Sequence, residues 1–110
     1  MIVVSLRIKV PPARQQDLIN SARLILGPTR IKPGCISCRI YQDLDEPDAL
    51  LLVEQWDSRP NLERHFDSDQ YRIILSLIEA SHPSPEFRIS TISKVEGLEA
   101  VAAVRRYSNA

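Results

Sequence analysis

The chain has 110 residues, 44% hydrophobic and 25% charged, with 14 basic and 14 acidic side chains and a formal net charge of zero. One domain of ordinary globular composition is expected, and disorder of its body is not. With no basic stripe to neutralise phosphates, a nucleic-acid partner is not expected. No apolar run reaches the length of a bilayer span, so no membrane partner is expected either.

The start, Met1-Ile2-Val3-Val4-Ser5-Leu6, is apolar but short, with no basic region ahead of it and no small-residue cleavage site. It reads as a strand and not as a signal peptide, which makes the cytoplasm the expected compartment. Residues 2–10 alternate, with Ile2, Val4, Leu6, Ile8 and Val10 on one face and Val3, Ser5, Arg7 and Lys9 on the other. Residues 13–26 carry Leu18, Ile19, Ala22, Ile25 and Leu26 at helical spacing, and Gly27-Pro28 is expected to stop that helix. Pro33-Gly34 is a turn signal. Residues 35–44 and 49–57 read as strands joined by the turn Asp45-Glu46-Pro47-Asp48, hence an antiparallel hairpin.

Ser58 is a good N-cap with Pro60 in the first turn behind it. The spacing over 59–80 predicts helix with a break near 67–69, carrying Leu62 and Phe66 before the break and Tyr71, Ile74, Leu75 and Ile78 after it. A loop, His82-Pro83-Ser84-Pro85, leads to a fourth strand over 86–95. Leu98 onward is rich in helix formers and predicts a short C-terminal helix, with the last residues fraying. Residues 1–97 are therefore read as one α+β domain and 98–110 as a helical tail. The order β-α-β-β-α-β is the ferredoxin-like arrangement of a four-stranded antiparallel sheet.

The two cysteines, Cys35 and Cys38, form a C-x-x-C pair. Redox pairs of this spacing normally open a helix, whereas these fall on a strand, where residues three apart should point to opposite faces. A second ligand pair for zinc is missing as well. Two unpaired thiols are expected, with redox or metal chemistry as the lesser alternative.

The third strand is apolar on both sides, with Leu51, Val53 and Gln55 on one face and Leu50, Leu52, Glu54 and Trp56 on the other. Such a strand is covered on both faces. Helices cover one face, and a second copy of the sheet is the expected cover of the other. RNA on this face would need an RNP-type aromatic pattern, which is absent.

Residues 33–71 carry Pro33-Gly34-Cys35, the Asp45–Asp48 turn, Glu54-Gln55-Trp56, Ser58 and Leu62-Glu63-Arg64-His65 in that order. This stretch resembles the antibiotic biosynthesis monooxygenase family. The resemblance implies a ferredoxin-like fold that dimerises through its sheets into an α+β barrel, with a pocket between each sheet and its helices. Some members oxidise electron-rich aromatics such as phenols, quinols and anthrones without a cofactor. Others degrade haem with an Asn on the first strand, and this chain has none there. The position that is often Tyr in the family is Cys38.

The expected activity is cofactor-independent oxygenation of a small quinol or phenol. His65 is the candidate base, since its ordinary titration range suits proton transfer near neutrality. Glu54 would orient it or act as base itself, and Trp56 would wall the substrate ring. Phe66 beside His65, Tyr41 and Arg39 are further candidates for substrate contact. Three glycines, Gly27, Gly34 and Gly97, cannot build a dinucleotide or phosphate loop, so no cofactor is expected. Against this stands a plain reading. Trp56 would be core or interface, His65 a satisfied structural residue, and Glu54 an ion-pair partner of Arg39 or Arg88. The chain would then be a non-catalytic ligand-binding or interaction dimer.

Overall fold

The computed structural model describes residues 1–82 and 84–108. In chain order these form β1 (Ile2–Lys9), a 3-10 turn (Pro12–Arg14), α1 (Gln15–Arg30), β2 (Cys35–Gln42), β3 (Ala49–Trp56), α2 (Arg59–Phe66), α3 (Tyr71–Ala80), β4 (Glu86–Thr91) and α4 (Glu99–Ser108). The sheet runs β2-β3-β1-β4 with every neighbouring pair antiparallel. This is the ferredoxin-like α+β fold that the element order predicts. Pro83, expected in the loop before the last strand, and residues 109–110, expected to fray, lie outside the described residues.

The period-two pattern of β1 becomes strict burial alternation, with Ile2, Val4, Leu6 and Ile8 at 7% exposure or less. Their register partners Trp56, Glu54, Leu52 and Leu50 on β3 are also buried. The helices pack on this inner face through Leu18, Ala22 and Ile25 of α1 and Ile74 and Leu77 of α3. Leu62 of α2 closes a second cluster with Ile2, Val4 and Trp56. The hairpin turn is held to β1 by charge, where the Glu46 carboxylate accepts from Arg7 and pairs with Lys9. No helix among the described residues is long and apolar enough to cross a membrane.

Three expectations are corrected. First, α1 does not stop at Gly27-Pro28 but continues to Arg30 with Pro28 inside it. Gly27 and Pro28 are solvent-facing, so the carbonyl that loses its donor to the proline ring can be hydrated. Thr29, wholly buried beyond them, keeps the last turn packed. Second, β4 ends at Thr91 and not near Val95. Among the described residues its only sheet neighbour is β1, which begins at Ile2 opposite Thr91, so beyond the Ile92 amide on the Met1 carbonyl β1 has no further residue to pair.

Third, Cys35 and Cys38 do not point to opposite faces. A register shift between Cys35 and Ser37 places Cys35 opposite Trp56 and Cys38 opposite Glu54, both inward. The irregularity absorbs one residue and resets the alternation. Both thiols are unpaired, and burial pushes both pKa values up, that of Cys38 to about 12. Buried thiols of raised pKa are poor nucleophiles.

Burial also raises Tyr71, to about 12. For both groups the folded state favours the protonated form, so the unfolded chain ionises first as pH rises. The contribution of these two groups to stability should be level below the ordinary Cys value of 9.0 and fall as pH climbs towards about 12. Urea midpoints measured across that interval should decline, and less steeply in Cys38→Ala. A wild-type midpoint independent of pH there would contradict this.

Candidate active site

Glu54 and Trp56 lie two residues apart on β3 and therefore share its inner face, at 1% and 0% exposure. The chain leaves β3 through Asp57 and enters α2 at once, because Ser58 caps the helix by accepting the Asn61 amide at 3.4 Å. Leu62 and His65 fall three apart on the buried side of α2, which returns His65 over the end of β3. The imidazole stacks on the Trp56 indole, centroids 4.9 Å apart, and meets Tyr71 edge-on at 5.2 Å. Phe66 lies beside it at 6.3 Å and also contacts Tyr71 and Phe87.

The polar bonds close around Glu54. Trp56 Nε1–H donates to Glu54 Oε1 at 3.1 Å, and His65 Nε2 lies 3.1 Å from Glu54 Oε2. Lys32 Nζ lies 2.8 Å from His65 Nδ1 and donates to Ser68 Oγ at 3.0 Å. Ser68 Oγ in turn donates to the His65 carbonyl at 2.7 Å. An ammonium has only donors, so Nδ1 accepts from Lys32 and the ring proton sits on Nε2, directed at the carboxylate. The row Lys32–His65–Glu54–Trp56 is thus a chain of donors ending on one carboxylate, with the imidazole side chain at 0% and the carboxylate at 2% exposure. Burial lowers the Lys32 pKa, while Glu54 opposes that shift.

Lys32 reaches this point because the turn after α1 is pinned. The Lys32 amide bonds the Thr29 carbonyl, the Cys35 amide bonds the Lys32 carbonyl, and the Asp57 amide bonds the Gly34 carbonyl. Gly34 has φ +85°, and a Cβ there would collide with Asn61 and Asp57. Only glycine lets the turn lie this close to the start of α2. The sequence places Tyr71 on an apolar helix stripe and Ser68 at a helix cap, neither at the site, and Lys32 carries no motif. A lone lysine between a helix and a Pro-Gly turn was the available signal.

Of the other sequence candidates, Phe66 joins the cluster and two do not. Arg39 pairs with Val53 and Tyr41 with Leu51, which puts both on the outer face of the sheet, away from Glu54. Arg88, opposite Ser5, is on that outer face too. Glu54 therefore pairs with His65 and Trp56, and with neither arginine. Between sheet and helices lie two hollows of different size, and the one between α1 and the β2–β3 pair, lined by Ile19, Ala22, Leu26, Ile40 and Leu50 among others, holds about 220 Å³. The deeper one, lined by Leu6, Ile25, Ile40, Leu52 and Leu77 among others, holds about 10 Å³. That is room for one water at most and not for an aromatic ring. Among the described residues no cluster of His, Cys, Asp and Glu could hold a metal ion.

Glu54→Gln isolates the carboxylate's role. Glutamine keeps the shape but offers one acceptor oxygen where two donors converge, so either Trp56 Nε1–H or His65 Nε2–H must face an amide NH2. The variant should lose about 1–3 kcal/mol of stability in chemical denaturation, the cost of one unsatisfied buried donor. Unchanged stability would mean that the two bonds to Glu54 are not made.

The geometry can be set beside known proteins. Residues 1–74 match the family model for antibiotic biosynthesis monooxygenase. An uncharacterized protein of Synechocystis sp., sll1783, is 36% identical over 70 residues, 64% of this chain and 48% of that protein. The match thus spans about half the length of that relative. Among solved structures, a conserved protein from Methanosarcina mazei Go1 superposes with TM-score 0.76 at 29% identity, covering 81% of this chain and 89% of that one. Rv0793 from Mycobacterium tuberculosis gives TM-score 0.78 at 23% identity, covering 87% and 98%. A structure described as an antibiotic biosynthesis monooxygenase gives 0.77 at 17%, covering 86% and 100%. With two thirds of its length matched by the family model, the chain belongs to the antibiotic biosynthesis monooxygenase family.

Proposed function

We propose that the protein is a cofactor-independent monooxygenase of a small phenol or quinol, with His65 as the base and Glu54 as the group that orients it. The observation that supports this is the buried bond from His65 Nε2 to Glu54 Oε2 at 3.1 Å. A carboxylate on the far nitrogen fixes which ring nitrogen is basic and stabilises the imidazolium formed on protonation.

The electron balance needs no cofactor. A phenol or quinol with a free C–H ortho or para to the hydroxyl reacts with O2 to give the corresponding quinone or hydroxyquinone and water. One oxygen atom enters the ring, the other leaves as water, and the substrate supplies all four electrons. His65 takes the phenolic proton, and the phenolate passes one electron to O2. The two radicals join through a C–O bond, and loss of water then breaks the O–O bond. Trp56 backs the imidazole, and the apolar surroundings of Phe66 and Tyr71 keep water from the anion.

The unit is proposed to be a homodimer. Val3, Leu51 and Val53 stand half-buried on the outer sheet face while the helices pack on the inner one. A second copy of that face would cover them and supply the core that a small domain lacks. Sedimentation should find a dimer in the wild type and a monomer in Val53→Glu. A monomeric wild type at micromolar concentration would reject this assembly.

A second reading has its own observation. The Glu54–His65–Lys32 cluster is closed, and the deep cavity lined by Leu6, Ile25 and Leu52 among others holds about 10 Å³. In that reading Glu54, His65 and Lys32 are a satisfied polar core and the chain is a non-catalytic dimer that binds a small ligand or a partner. Oxygen uptake by metal-free protein with a panel of hydroquinones and naphthoquinols separates the two. The enzyme reading predicts uptake above autoxidation that falls about 10²-fold or more in His65→Ala, the usual size of a lost general base. Uptake at background for every compound leaves the second reading.

A further inference from the structure

We propose that Lys32 guards His65, holding Nδ1 in this structure and yielding it to the hydroxyl of a phenolic ligand whose phenolate oxygen its ammonium then neutralises. The ligand class rests on the oxygenase reading above, whereas the role of Lys32 rests on the geometry around the imidazole.

His65 has one nitrogen to offer. Nε2 is committed to Glu54, one ring face lies on Trp56, and Tyr71 meets the ring edge-on. Nδ1 is the remaining polar atom, and Lys32 Nζ occupies its direction at 2.8 Å. Any group that bonds Nδ1 must therefore take the position of that ammonium. Lys32 is also the exposed end of the row, half-buried where His65 and Glu54 are at 1% exposure and Trp56 at 0%. A ligand arriving from solvent meets the lysine before the imidazole.

The second anchor of Lys32 is what lets it move. Its ammonium also donates to Ser68 Oγ at 3.0 Å, and Ser68 is tied to the His65 carbonyl. A pivot about Ser68 frees Nδ1 and leaves the cation hydrogen-bonded a few ångströms from where the ligand oxygen arrives. The step is a proton transfer alone. The phenolic O–H bond breaks, the proton goes to Nδ1, and the electron pair stays on oxygen. Imidazolium then faces the Glu54 carboxylate, and phenolate faces the Lys32 ammonium, so each new charge has a partner already in place.

Titratable groups of several elements face this point. Glu54 is on β3, Cys35 and Cys38 on β2, Arg30 on α1 and Tyr71 on α3. The thiols and the phenol of Tyr71 are held protonated by burial, while the Lys32 ammonium lies on Nδ1 and Glu54 on the other ring nitrogen. Burial weakens the hydration of that ammonium, so it gains more from an anion brought beside it than a surface lysine does.

The probe is 4-nitrophenol, whose phenolate absorbs visibly and which O2 does not oxidise. Titrated with saturating wild-type protein, it should ionise about one pH unit or more below free nitrophenol, a tenfold or greater preference for the phenolate. Lys32→Met should abolish that shift and Lys32→Arg should retain part of it. Where Lys32→Met does not fold, Lys32→Gln removes the charge with less apolar bulk. Nitrophenol that does not bind, binds with its free pKa, or keeps its shift when the charge of Lys32 is gone overturns the proposal. The outcome is independent of turnover. A Lys32-dependent shift without oxygen uptake on quinols would keep the guard and reject the oxygenase, and uptake with an unshifted probe would do the reverse.

Discussion

Everything at this site depends on the carboxylate of Glu54. It sits at 1% exposure on the inner face of the sheet, where an unpaired carboxylate would be too costly to keep. Its two oxygens take the Trp56 and His65 N–H groups, and the charge is balanced one residue further out by Lys32. Three elements are thereby fixed to one point: β3 through Trp56, α2 through His65, and the turn after α1 through Lys32. The helix that carries His65 is only eight residues long and has little stability of its own. Its place comes from Leu62 in the core below and from this bond.

The same arrangement has the form of a base held ready. A carboxylate on one imidazole nitrogen and a donor on the other is how proteins fix a tautomer. The donor here is a flexible lysine with a second partner, not a backbone amide. A rigid donor would make His65 a purely structural residue. In the proposed reading, a lysine that shifts its hydrogen bond to Ser68 opens and closes the site, which would let a closed cluster and a reactive imidazole belong to one protein.

The fold was legible because its signals are local. Alternation in residues 2–10, the polar turn at 45–48 and the Ser58 cap each determine one element, and their order allows few topologies. The ordered residues Pro33-Gly34-Cys35, Glu54-Gln55-Trp56 and Leu62 to His65 pointed to the family. The misses were not local. Whether Pro28 ends α1 depended on which side of the helix faces water. The length of β4 depended on where β1 begins. The common face of Cys35 and Cys38 depended on one irregular residue between them. Lys32 reaches His65 through the packing of the Gly34 turn against α2, and nothing in the spacing of residue 32 and residue 65 says that they meet. Arg39 and Tyr41 fell to the outer face for the related reason that the same irregularity decides which side each residue of β2 takes.

The central claim is that His65 stands between an acceptor and a donor, with Glu54 on Nε2 and Lys32 on Nδ1. Nitrogen-15 shifts of the histidine ring test it most directly, and a His82→Gln background leaves a single histidine to observe. The account predicts that the neutral ring carries its proton on Nε2, with Nδ1 bare and hydrogen-bonded. A neutral ring protonated on Nδ1 would contradict it, because Lys32 could not then donate to that nitrogen and Glu54 would have lost its donor.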